Sequence, residues 1–225
     1  MDLILAERLL LLFLDDDKGS DRASWGGDPG IAGAILLDLT RLQAIDSDGE
    51  GKLVARPGAA PDHPLLAAAH AAIAAAEKPR NAKGWVGRLP RALKPLREHA
   101  AARLVEAGVL SEDRRKRLGL FTTTRFPQAD PEPERALRER LRAVLLGERE
   151  PTPEEAMLVG LLLPYDLVKQ LVPAERRKDA KQRAKAIAEG GAAAKAVDDT
   201  LKGIQAAVIA STTAAVLAST TSGST

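Results

Sequence analysis

Arg88, Arg91, Lys94 and Arg97 recur at intervals of three, which places them on roughly one face if the segment is a single helix. Guanidinium groups grip phosphate oxygens in pairs, while an ammonium such as that of Lys94 acts as a point charge. The chemistry this predicts is recognition of an anion, with no covalent bond made or broken. Near an anionic bilayer each such cation contributes about 1 kcal/mol. The competing expectation is a solvated face whose charges pair with acidic residues elsewhere in the chain.

A second basic group, Arg114, Arg115, Lys116 and Arg117, runs directly into LGLFTTTRF at 118–126. That run is rich in Thr, Phe and Leu and reads as a strand of a protruding hairpin. Four adjacent cations cannot be buried, so the tip is expected to be exposed. Leu118, Leu120, Phe121 and Phe126 are then candidates for shallow insertion into lipid, each contributing up to about 1.5–3 kcal/mol. Burial in the core and a self-association contact are the other two expectations for these side chains. Trp25, in the turn-rich WGGDPG, either wedges into a membrane interface or packs over a helix end. Trp85, in GWVGRL, reads as core.

Catalytic signals are weak. His63, His70 and His99 have no ligand spacing, the chain has no cysteine, and Asp15, Asp16 and Asp17 read as a helix boundary. No glycine-rich phosphate loop and no nucleophile motif occurs. The expectation is a protein that is not an enzyme and carries neither metal nor cofactor.

The elements that must position these groups follow from composition. Apolar residues make up 45% of the 225-residue chain but aromatics only 3%, so Ala and Leu supply most of the packing and favour helix. Charge is segregated. Residues 1–50 hold four Lys/Arg against eleven Asp/Glu, a net of −7, and residues 80–117 hold eleven against four, a net of +7. Such asymmetry bears on partners rather than fold. Asp2 and Glu7 stand where a secretory signal would be cationic, and Ser211, Thr212 and Thr213 interrupt the longest apolar run. A cytoplasmic protein that meets membranes peripherally is expected.

Along the chain, helices are predicted over 3–14, 31–42 and 65–77, and one or two more over 85–110, interrupted at Pro90 and Pro95. Ile35, Leu36, Leu39 and Leu42 form the predicted buried stripe of the second. Residues 45–54 predict a short hairpin around SDGEGK. Further helices are predicted at 134–146, 154–163, 174–189 and 193–217. The expected architecture is mainly α: a single helical bundle over 1–218 with one protruding β-hairpin, and a disordered tail over 219–225.

These motifs in this order resemble the Golgi phosphoprotein 3 family, in a compact bacterial-type form. The resemblance rests on ERLLLLFLDDDKG at 7–19, Trp25, GIAGAILLDLTRLQAI at 30–45, DHPLLAAAHAAI at 62–73 and GWVGRL at 84–89. It continues with LVEAGVLSEDRRKRLGLFTTTRFP at 104–127, LLPYDLVKQLVP at 162–173 and AVDDTLKGIQAAV at 196–208. It implies a phosphatidylinositol 4-phosphate-binding, peripheral membrane protein with an apolar hairpin. The family pocket uses a tryptophan after the first helix, matched by Trp25, and two arginines before the LVEAGVL motif, matched by Lys94 and Arg97. A further family arginine falls on Ala32, so that cation is missing, with Arg22 or Arg91 as possible substitutes. The family's Golgi trafficking role is not carried over.

Two functions from different classes are therefore expected. The first is a lipid-binding module that reads an anionic headgroup, with the hairpin inserting or forming a homo-oligomer. The second is a winged-helix-like DNA binder, since a helix, a basic turn and a hairpin also make a recognition helix and wing. Against the second, Ala100, Ala101 and Ala102 give that helix few side chains able to read bases.

Overall fold

The computed structural model describes residues 2–14, 27–117, 121–190 and 199–221. The fold is mainly α, as composition predicts, with ten helices and two small antiparallel sheets among the described residues.

Helix α2 (Gly27–Arg41) is the central element. Its residues from Ile31 to Leu39 are buried, and it packs against α1 (Leu5–Phe13), α4 (Ala82–Ala92) and α10 (Asp199–Thr221). The run Leu9 to Leu14 is buried throughout, because α1 is enclosed by α2, α5 (Leu96–Glu106), α6 (Glu132–Leu146) and α7 (Pro153–Leu162). The start of α1 is fixed by two carboxylates. Asp38 of α2 accepts the Leu5 N–H at 2.8 Å, and Glu7 accepts the Ile4 N–H at 3.0 Å. Both take donors that a helix N-terminus leaves open. Gly33 lets α10 approach closely, since a Cβ there would lie 2.5 Å from the Thr212 hydroxyl.

The hairpin around SDGEGK forms as expected. Strands β1 (Ile45–Ser47) and β2 (Lys52–Ala55) pair with Ile45 opposite Ala55, and the Asp48 carboxylate takes the N–H groups of Glu50 and Lys52 across the turn. The sequence gives no sign of β3 (Arg80–Asn81), which adds two residues to the edge of β2. Helix α3 (Pro64–Ala74) covers the sheet.

Several boundaries differ from expectation. Pro90 does not interrupt α4, which runs on to Ala92; the hydrogen bond it removes falls in the last turn. Leu42 lies beyond the end of α2 and is exposed rather than part of the buried stripe. Helix α9 spans Arg177–Ala188 after a short 3-10 turn, and a four-residue α8 (Val168–Leu171) precedes it. Helix α10 continues to Thr221, past the predicted helix end at 217. The buried apolar residues from α1 to α10 form one cluster.

Candidate functional site

The four cations spaced by three do not share a helix. Arg88 and Arg91 belong to α4, Lys94 lies in the connection, and Arg97 sits in the first turn of α5. Leu93 caps the end of α4, and Pro95, which cannot donate an N–H, precedes the new helix. The ring of His99 bonds the Leu93 carbonyl across this corner at 3.1 Å. The connection therefore presents the cations as a band across a helix–helix corner.

Arg88, Arg91 and Lys94 are exposed and form no ion pair with any described residue. Arg80 and Lys83, at the start of the same segment, are likewise exposed and unpaired among the described residues. Arg97 is different. Its Nε donates to Asp28 Oδ1 at 2.8 Å, and the pair is part-exposed, at 30% and 45%. Asp28 lies in the first turn of α2, where a carboxylate also favours the helix dipole. Arg103 lies 3.5 Å from the buried Glu7. Among the described residues, pairing of the basic middle with the acidic start holds at Arg97 and Arg103 and does not reach the α4 cations.

Trp25 and Arg22 lie outside the described residues, as do Leu118 and Leu120. Sequence alone places Trp25 three residues before Asp28. Ala32, at the position of the missing arginine, is fully buried in α2 and contributes a methyl group to the core.

The hairpin pairs β4 (Asp113–Arg117) with β5 (Phe121–Arg125), with Arg114 opposite Thr124 and Arg117 opposite Phe121. The basic run read from sequence as a turn is thus itself a strand. Arg114 is exposed and donates to Glu112 at 2.7 Å; the backbone of Arg115, Lys116 and Arg117 continues the strand. Thr124 donates to Glu98 of α5 at 3.1 Å, which ties the hairpin to the helix carrying Arg97. At its base the Ser111 N–H donates to the Pro127 carbonyl at 2.9 Å. Phe126 corrects the sequence reading. It is 6% exposed and joins Val109 and Leu110 in the core, so it anchors the hairpin and is not available to lipid.

The histidines bond within the fold. His63 accepts the Leu65 N–H through Nδ1 and meets Glu7 through Nε2 at 3.0 Å, and His70 meets the Arg56 carbonyl. Among the described residues no three metal-ligating side chains cluster, and no helix is long and apolar enough to cross a membrane. Trp85 is fully buried, as predicted.

The family model for Golgi phosphoprotein 3 (GPP34) matches residues 5–204, from the first turn of α1 into α10. The chain belongs to the Golgi phosphoprotein 3 family. No curated protein gives a significant match. Membership in the Golgi phosphoprotein 3 family fits the mainly helical fold, and the described parts of the ordered motifs lie on α1, α2, α3, α4, α5, the β4–β5 hairpin, the end of α7 with α8, and α10. Sequence reasoning missed Asp28 as the partner of Arg97.

Proposed function

We propose that this chain is a peripheral membrane protein that binds phosphorylated inositol or other anionic lipid headgroups. The observation that carries the reading is the exposed trio Arg88, Arg91 and Lys94, which finds no carboxylate among the described residues. Burying such charges against an anion removes their mutual repulsion, and the band lies on the segment where the family resemblance places headgroup contacts. Lys94 and Arg97 are the matching positions, with Arg91 beside them. Trp25 and Arg22 complete the proposed site from the segment that leads into Asp28.

Electrostatic attraction brings such a surface to the bilayer, and apolar contact then holds it. Leu118, Leu120 and Phe121 are the proposed inserting residues, or the proposed contact of a homo-oligomer. The base of the hairpin is held by Phe126 and by Thr124 on Glu98, which keeps it beside α5.

The DNA-binding reading fares less well on the geometry. The exposed positions of α5 are His99, Ala102 and Glu106, of which one is acidic and one is a methyl group. Flotation with neutral, phosphatidylserine and phosphatidylinositol 4-phosphate vesicles, run beside a duplex DNA mobility shift, tests the proposal. Binding to anionic vesicles alone supports it. Indifference to every vesicle together with a salt-steep DNA shift contradicts it.

A further inference from the structure

The sheet carries a second candidate site. Between β2 and the C-terminal end of α3 lies a hollow of about 380 Å³, open to solvent. This is within the size range of small-molecule pockets. Its walls are mostly apolar, including Val54, Ile73, Ala74, Ala76 and Pro79. Two polar features in it keep groups that bond no described residue.

The first is the edge of β2. The Asp48 N–H donates to the Lys52 carbonyl and the Arg56 N–H to the Ala44 carbonyl, both at 2.9 Å. Antiparallel strands alternate, so residues 52, 54 and 56 address β1, and Ala55 turns its N–H and C=O the other way. On that side β3 pairs only with Lys52 and Leu53. The peptide groups of Ala55 therefore have no partner among the described residues, and Ala55 lines the hollow.

The second is His70, which is 7% exposed and also lines it. Its Nε2 lies 3.1 Å from the carbonyl of Arg56, the residue after Ala55. A carbonyl only accepts, so Nε2 carries the proton, and Nδ1 of the neutral ring is an acceptor. Nδ1 bonds no described residue and is not sealed from solvent. The hollow thus offers one donor and two acceptors. Arg56, at its rim, already donates to Asp46 at 2.7 Å.

We propose that this hollow binds a small molecule with an apolar body and a primary carboxamide. The carboxamide oxygen accepts from the Ala55 N–H, and its two N–H groups serve the Ala55 carbonyl and His70 Nδ1. A carboxylate has no proton to give and sets its charge against two acceptors.

Titration of the ¹⁵N-labelled full chain with hexanamide, followed by NMR, tests this. The expected result is a saturable shift of the Ala55 amide, with hexanoate about tenfold weaker or worse. Ala74→Leu, at an exposed helical position, fills the hollow and leaves the thermal melt unchanged, and it is expected to weaken hexanamide about tenfold or more. An unmoved Ala55 amide overturns the proposal. So does equal binding of hexanoate, or undiminished binding by folded Ala74→Leu.

Discussion

The Nε of Arg97 donates to the Asp28 carboxylate at 2.8 Å, joining the first turn of α5 to the first turn of α2. The pair is half in solvent, so it contributes at most about 1 kcal/mol to stability. Its larger consequence is positional. It holds a guanidinium at the point where the chain segment containing Trp25 enters α2, with Lys94 three residues away in sequence.

Arg97→Ala is therefore expected to weaken binding to phosphorylated headgroups about tenfold, by loss of a charge-assisted contact. Its urea midpoint should barely move. Asp28→Asn removes the competing carboxylate and should strengthen vesicle binding several-fold, at a stability cost of about 0.3–1 kcal/mol from the lost helix-dipole interaction. A large stability loss in Arg97→Ala with unchanged binding would make the residue purely structural.

The hairpin divides into an anchor and a tip. Phe126→Ala should cost about 3–5 kcal/mol, because the ring is buried in the core. Leu120→Ser with Phe121→Ser should leave the melt nearly unchanged and reduce vesicle flotation, or dissociate an oligomer. Urea unfolding set beside flotation separates the two. Equal stability losses in both variants would place the tip in the core.

Asp38 should make the protein less stable as pH rises through weak acidity. Burial raises its carboxyl to about 6 from 3.8, against the lowering effect of Arg41 and the backbone N–H groups of Leu5 and Ala6. The folded state holds the proton more tightly, so this contribution is present below about pH 4 and lost through about pH 6, on the order of 3 kcal/mol. Asp38→Asn should flatten stability across that window in urea melts. An unchanged slope would show that Asp38 does not titrate there.

Glu155 acts in the opposite direction. Burial alone would raise its carboxyl, but bonds from Arg149, the Thr152 N–H and Arg140 hold it at about 2. Its contribution is complete above about pH 4.5 and lost as pH falls toward 2. The part-exposed arginines are screened by solvent, which leaves about 1–2 kcal/mol. Glu155→Gln should destabilise at pH 7 and converge with the wild type near pH 2. A constant difference at both pH values would contradict this.

The helical character of the chain was legible because Ala and Leu periodicity is local. The turn at SDGEGK was legible for the same reason, as Asp48 caps it from within. What sequence could not show depended on distant partners. Strand β3 exists only because β2 offers it an edge, and the basic run became β4 only because FTTTR pairs with it. Phe126 reads in the sequence as part of the exposed apolar run, yet it is buried in the core. The cationic spacing was read as one helical face, which fails because Pro95 starts a second helix. Asp28 as the partner of Arg97 lies 69 residues away, beyond any local pattern.

The most direct measurement of the central claim is titration of the ¹⁵N-labelled chain with inositol 1,4-bisphosphate, the soluble phosphatidylinositol 4-phosphate headgroup. The account predicts saturable amide shifts clustered at Arg91 to Arg97 and at Gly27 to Gly30, which Lys94→Ala with Arg97→Ala abolishes. Saturable shifts confined to other surfaces, or none at millimolar headgroup, would contradict it.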